Sequence, residues 1–327
     1  MEIVVKTVSE EAYDCYLIAI ATVLNSMDKE FHMISTGYWG FEYIPLNKRE
    51  DRQIGNGFFS YERRNAEGEK IFHGIDLNIL YKAREWQANQ GHLVKDIIEM
   101  ILNHNRIVVI VSDAYWYSWS TYYRKKHCNH CYLIYGVDNG IYKCLDPYVN
   151  NLFFDETYEK LNLDEACKYV IDISSEDKQI DRKMVLDVLK KDHEYMQKRD
   201  IIKQIQLLIQ DVDEYFVYEN EINGDIDQKI ISPLVENIRF LIRNRQGYLL
   251  MLKHLNDFEH YDFCDSIDFA NQCINNWKKL RFILIKNIYH NTKKDIKTMI
   301  LTILESIRDS EQLFNATFYK EIISNLY

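Results

Sequence analysis

Cys15, His130 and Asp146 lie far apart in the chain, yet together they carry the side chains of a nucleophilic site. A thiolate attacks an acyl carbon, an imidazole takes and returns the proton, and a carboxylate fixes the tautomer and supports the imidazolium. Residue type alone proves little, because free cysteine is often a small buried hydrophobe and needs no catalytic role. The local setting of each residue is what singles out these three.

His130 opens an apolar and aromatic run, residues 131 to 137, that reads as a buried strand. Asp138, Asn139 and Gly140 supply a turn that tolerates positive φ, and residues 141 to 145 return as a second strand. Pro147 fixes its own φ and holds Asp146 extended, at a defined strand end. A tight turn brings the outer ends of its two strands together, which predicts His130 beside Asp146. Cys15 opens a run to Leu24 that is apolar on nearly every face, with small alanines at 19 and 21. It reads as a buried helix with Asp14 as its N-cap. A thiol in the first turn feels the positive end of the helix dipole, which favours the thiolate.

Other residues compete for roles. His127 follows Arg124, Lys125 and Lys126 in a basic loop and rivals His130 as the base; the strand start favours His130. The segment from Ala114 to Arg124 is too aromatic for an ordinary solvated loop, so Tyr115, Trp116, Tyr117 and Trp119, with His127, are expected to line a substrate pocket. The alternative is a buried aromatic cluster. Cys128 and Cys131 form a C-x-x-C with interleaved histidines, which raises zinc. A structural zinc wants four ligands, usually from two such pairs, and no second pair exists, so no metal is expected.

The chain has 327 residues, 40 basic against 50 acidic, for a net charge of −10. That balance disfavours nonspecific nucleic-acid binding and an anionic membrane surface. The N-terminus shows no basic stretch followed by an apolar one, and no apolar run approaches a membrane span, so a cytoplasmic location is expected. Seven scattered cysteines, an odd count, argue for free thiols. Residues 2 to 8 read as a short strand, 77 to 86 and 94 to 102 carry helical spacing, 106 to 112 is a β-branched central strand, and 157 to 167 reads as a helix. Beyond a polar break at 174–177, helical patterns cover about 181–197, 200–220, 229–256, 264–290 and 293–324. The expected organisation is α+β over 1–175, followed by a helical domain over 176–327 serving as lid, scaffold or carrier-docking surface.

Asp14-Cys15 at the head of a small-residue helix, the run from His130 through Gly136 to Asp138, and Leu145-Asp146-Pro147 together resemble the butirosin-biosynthesis-H-like family and the related bacteriocin-leader peptidase domains. The resemblance covers about residues 1–173. It implies a papain-like cysteine protease or transglutaminase-type fold, with Cys15 as nucleophile, His130 as base and Asp146 as the orienting acid. It also implies a function: transfer of an acyl group from an acyl- or peptidyl-carrier protein, held on its phosphopantetheinyl thioester, to a small amine or diamine in nonribosomal natural-product biosynthesis. No other cofactor is implied. The alternative is a peptidase or thioesterase that hydrolyses the same acyl-enzyme. One departure counts against the peptidase. Leader peptidases carry a glutamine a few residues before the cysteine for the oxyanion, and residues 7 to 14 contain none. The helical half also offers a basic set, including Lys278, Lys279, Lys293 and Lys294, as a surface for an acidic carrier.

Cys15→Ala is expected to abolish turnover while the fold survives, because a small residue still fits a buried helix start. Cys15→Ser should be nearly as inactive, since a hydroxyl ionises far less readily than a thiol. Turnover assays with circular dichroism as the folding control check both, and wild-type rates in Cys15→Ala would remove the nucleophile.

Overall fold

The computed structural model describes residues 3–58, 63–64, 70–71, 82–88, 93–174, 181–221, 232–290 and 296–326. In chain order the elements are α1 (Cys15–Ser26), β1 (Arg63–Arg64), β2 (Lys70–Ile71), β3 (Lys82–Gln87), α2 (Val94–Asn103), β4 (Val108–Asp113), β5 (Asn129–Asp138), β6 (Ile141–Asp146) and β7 (Leu152–Thr157). Then come α3 (Tyr158–Leu161), α4 (Leu163–Ala166), β8 (Cys167–Ser174), α5 (Arg182–Arg199), α6 (Ile201–Tyr215), α7 (Pro233–Asp257), α8 (Cys264–His290) and α9 (Ile296–Ser324). The fold is mixed α/β with a helical C-terminal part. No helix among the described residues is long and apolar enough to cross a membrane.

Residues 1–34 and 76–179 make one compact unit. Its centre is an antiparallel sheet in the order β3-β8-β4-β5-β6-β7. On one face Val108, Ile110, Tyr132, Ile134, Cys144 and Val170 pack against the apolar stripe of α2, Val94, Ile97, Ile98 and Ile101. α1 lies against β5 and β4 and is buried from Leu17 to Leu24, as its all-round apolar sequence requires.

The hairpin between β5 and β6 holds the decisive geometry. Asn139 and Gly140 turn the chain with φ of 50° and 79°, as a two-residue hairpin loop of the favoured hand requires. That turn pairs Asp138 with Ile141, Val137 with Tyr142 and Gly136 with Lys143. Continued unbroken, this register would bring Leu133 opposite Asp146, on the face away from His130. Instead the register shifts between Ile134 and Gly136, with Tyr135 as the extra residue, and resumes with Ile134↔Cys144 and Leu133↔Leu145. One extra residue in a strand moves everything beyond it to the other face of the partner strand. One step further along, Asp146 stands level with Tyr132 and shares the face of His130, diagonally adjacent to it.

Several elements depart from the sequence-based expectation. Residues 3 to 8 form no strand; they run beside α1, where Lys6 N–H donates to Ser26 Oγ (2.9 Å) and Asn25 Nδ2 donates to the Lys6 carbonyl (3.1 Å). The helical spacing at 77–86 is overruled over 82–87, which pairs along β8 from Lys82↔Ser174 to Gln87↔Tyr169; residues 77–81 lie outside the described set. A ten-residue helical pattern is marginal by itself, and a full ladder of strand pairing outweighs it. The helix expected over 157–167 breaks into α3 and α4 at Asn162, whose φ of 48° and ψ of 40° are left-handed.

The other unit is 35–75 with 180–327, so the boundary placed near 175 does not keep the whole N-terminal half together. The segment after residue 35 belongs with the helices because its buried polar groups find their partners there. Trp39 Nε1 donates to Glu311 (2.7 Å), Tyr43 Oη to Asp211 (2.7 Å), and the Ile54 and Gly55 amides to Glu221 (2.6 and 3.0 Å). Gly55 also sits where a Cβ would come within 2.2 Å of the Leu234 nitrogen, at the start of α7.

Deleting Tyr135 should make the ladder continuous while leaving Ile134 opposite Cys144 and Asp146 on the face of His130, so turnover is expected to stay within about tenfold of that of the unaltered protein. A fall of about 100-fold or more, as for a histidine stripped of its orienting carboxylate, with the sheet intact by circular dichroism, would mean that the site needs the extra residue itself.

Candidate functional site

Asp14 caps α1: its Oδ1 accepts from the Tyr16 and Leu17 amides at 3.0 and 2.8 Å. Cys15 is thereby held in the first turn, with its thiol against β5. With the Tyr16 and Leu17 amides donating to the cap, the Cys15 N–H donates to no acceptor among the described residues and is the amide of this turn that could meet an oxyanion.

His130 meets Cys15 from the start of β5. Its Nε2 pairs with Asp146 Oδ2 at 2.6 Å, which leaves Nδ1 for the thiol. Asp146 is fully buried and takes four hydrogen bonds. Oδ2 accepts from His130 and from Trp119 Nε1 (3.1 Å), and Oδ1 from the Tyr148 and Val149 amides (3.1 and 3.2 Å). A carboxylate so supplied with donors is fixed in place, and it in turn fixes the imidazole.

The electrostatics follow from these contacts. A hydrogen bond from the Cys131 thiol holds the Cys15 thiol well below the ordinary cysteine range; burial opposes this, and the hydrogen bond and charge of His130 reinforce it. Cys131 moves the other way, pushed well above the ordinary range by burial and by the neighbouring Cys15. Burial alone would lower the His130 pKa, but the hydrogen bonds and charges of Asp146 and Cys15 prevail and raise it to about 10. Both shifts favour a thiolate–imidazolium pair over a neutral thiol and imidazole.

The remaining residues singled out from the sequence fall into two groups. Tyr117 and Trp119 turn inward: Tyr117 is fully buried and stacks on Trp119 at 4.7 Å, and Trp119 reaches Asp146. Tyr115, Trp116 and His127 sit at the outer part of the same loop. His127 Nδ1 pairs with Asp113 Oδ2 at 2.6 Å, and the ring stacks on Tyr115 at 4.2 Å while staying two-thirds exposed. The segment is thus partly core and partly surface, where a single pocket wall was expected. In the C-x-x-C segment, His127, His130 and Cys131 turn to three different partners, Asp113, Asp146 and Cys15. Of the basic residues in the helical half, Lys278 and Lys279 are exposed on α8, and Lys293 and Lys294 lie outside the described residues.

Two partners escaped sequence reasoning. Cys131 read only as half of a metal pair, although alternation along β5 separates it from His130 and aims it elsewhere. Trp119 was grouped with its aromatic neighbours, and nothing local marks it as the donor to a carboxylate 27 positions away. Comparison with protein-family models and with curated proteins returned no match.

The ion pair predicts a distinctive pH dependence of alkylation by iodoacetamide. Because the Cys15 pKa is lowered, its thiolate persists to lower pH than that of an ordinary thiol, so its rate should change less from pH 6 to 8 than that of a thiol with a raised pKa. Cys264 is exposed, and slight local desolvation together with the charge and hydrogen bond of Asp262 raises its pKa. Its rate should climb by about tenfold per pH unit over the same range, as for any thiol titrating above it. Peptide-resolved mass spectrometry reads both, and parallel profiles would mean no activated thiolate at Cys15.

Proposed function

We propose that this chain is a cysteine-dependent acyltransferase of papain-like architecture. It takes an acyl group from a carrier-protein thioester onto Cys15 and passes it to a small amine. The observation that carries this reading is the hydrogen-bonded line from Cys15 through His130 to the buried carboxylate of Asp146. The resemblance of the same residues to the butirosin-biosynthesis-H-like family supports it.

The Cys15 thiolate attacks the thioester carbonyl, and the electron pair moves to oxygen, met by the Cys15 N–H. Collapse of that intermediate expels the carrier thiolate, which takes the proton from the His130 imidazolium. An S-acyl Cys15 and a neutral imidazole remain. The amine then attacks the acyl carbon and gives its proton to His130, and the second collapse releases the amide and restores the thiolate–imidazolium pair. Exchange between thioesters is nearly neutral in energy and aminolysis runs downhill, so no nucleotide is consumed. Asp146 holds the ring through both halves.

Aminolysis must outrun hydrolysis, which requires a site with little water. Cys15 is only partly exposed, His130 is buried, and Tyr117 stacks on Trp119, which donates to Asp146. These features favour the amide-forming reading over the peptidase or thioesterase.

Incubation with an acyl thioester should add the acyl mass to the Cys15 peptide. Subsequent addition of an amine should discharge it as amide in excess over free acid. Free acid alone would assign a hydrolase, and acylation at Cys128 would move the nucleophile.

A further inference from the structure

The loop between β4 and β5 is unusual in a chain with an excess of acids. From 114 to 130 it holds Arg124, Lys125 and Lys126 and no acidic residue. Residues 121 to 127 are all exposed. Among the described residues no carboxylate pairs with any of these three cations. A net charge of −10 supplies many acids, so their complete exclusion from this loop leaves a local positive surface on an otherwise negative molecule.

The loop is also built rather than loose. Asp113 ties its neck, accepting from the Tyr115 amide (3.1 Å), the Cys128 amide (3.2 Å) and His127 Nδ1 (2.6 Å), while the Ala114 amide donates to the Cys128 carbonyl (2.9 Å). At the tip the Arg124 amide donates to the Tyr115 carbonyl (2.9 Å). Its guanidinium lies 4.6 Å over the Trp116 ring and 5.5 Å from the centre of Tyr115. Stacking on aromatic faces and side-chain hydrogen bonds to Tyr123 and Tyr115 hold the planar guanidinium in place at the loop tip.

Both ends of the loop lead to the reacting groups. At the neck Asp113 pairs with Asn129 and Ser112 with His130, so the basic surface continues directly into the strand that bears the imidazole. From inside the loop Trp119 holds Asp146.

We propose that the basic tip of this loop, residues 124 to 126, receives an acidic carrier protein and so delivers its thioester arm to Cys15. The inference depends on the acyl-transfer reading above and assigns its donor-recognition surface. Charge complementarity selects the occupant. An acidic carrier domain would be repelled by most of this molecule and attracted here, which orients the encounter as well as accelerating it. The aromatic rings keep Arg124 from collapsing onto the protein's own acids.

The test compares three donors with one acyl group: an acidic acyl carrier protein from a panel, coenzyme A, and N-acetylcysteamine. The variant Lys125→Glu/Lys126→Glu should lower kcat/KM for the carrier-borne donor, relative to the N-acetylcysteamine thioester, by about tenfold or more at low salt. The loss should shrink at about 0.5 M salt, where surface charges are screened. Lys125→Gln/Lys126→Gln should give a smaller loss in the same direction. An equal loss with the coenzyme A thioester would reduce the surface to a phosphate contact and overturn protein docking. So would an unchanged ratio, an effect confined to Lys278→Glu/Lys279→Glu, failure of every carrier where N-acetylcysteamine succeeds, or binding of the loop to phosphatidylserine vesicles with no carrier effect. Each of these leaves acylation of Cys15 by the small thioester intact, and with it the acyl-transfer reading. If the small thioester does not acylate Cys15 in the unaltered protein, that reading falls and takes the docking surface with it.

Discussion

A carboxylate with no solvent exposure is costly unless donors surround it, and Asp146 meets that condition with four hydrogen bonds. Two come from backbone amides just after Pro147, which folds the chain around the carboxylate. One comes from Trp119, and the last from His130. Because three donors are uncharged and fixed, the His130 contact is where positive charge is drawn in. The imidazolium is stabilised there, the thiolate of Cys15 is stabilised by the imidazolium, and the aromatic loop is pinned by the same group. Removing the carboxylate would release all three.

That arrangement depends on one extra residue in β5. The Asn139-Gly140 turn imposes a register that would set Asp146 on the opposite face from His130, and the bulge at Tyr135 reverses it. Bulges are usual next to functional sites because they re-aim side chains without altering the turn or the strand count. Here the turn supplies the tightness of the hairpin and the bulge supplies its phase. The two are separable in principle, because the ladder is regular on either side of the extra residue.

The helical unit has a polar centre of its own. Arg245 and Glu311 are both fully buried and pair at 2.7 Å, with Trp39 and Trp277 each donating an indole N–H to Glu311. The guanidinium lies 5.1 Å from the ring of Trp39. Buried pairs of this kind add little net stability, yet losing one partner is severely destabilising, so they commit the surrounding elements to one arrangement. Trp39 comes from a segment far from the helices in sequence, and its bond to Glu311 explains why that segment belongs with them.

Much of the site could be read from local signals. Asp14 before an all-round apolar run announces a capped buried helix, Asn139-Gly140 announces a hairpin, and Asp146-Pro147 announces an extended strand end; each acts within a few residues. The five C-terminal helices were legible for the same reason, since amphipathic spacing over long stretches is a local property. What the sequence could not determine were the choices made by distant partners. β3 is a strand because β8 offers it a ladder, against its own helical spacing. Residues 35 to 58 leave the first unit because Glu311, Asp211 and Glu221 satisfy their buried donors elsewhere. Trp119 becomes a support for Asp146, and Cys131 a partner of Cys15, only when the sheet brings them together. The phase of the hairpin belongs to the same group: the turn residues specify one register, and packing of Tyr132, Ile134 and Cys144 on one face enforces another. Local sequence determines which elements form and where they end, while burial of side chains against remote neighbours decides which face each residue occupies.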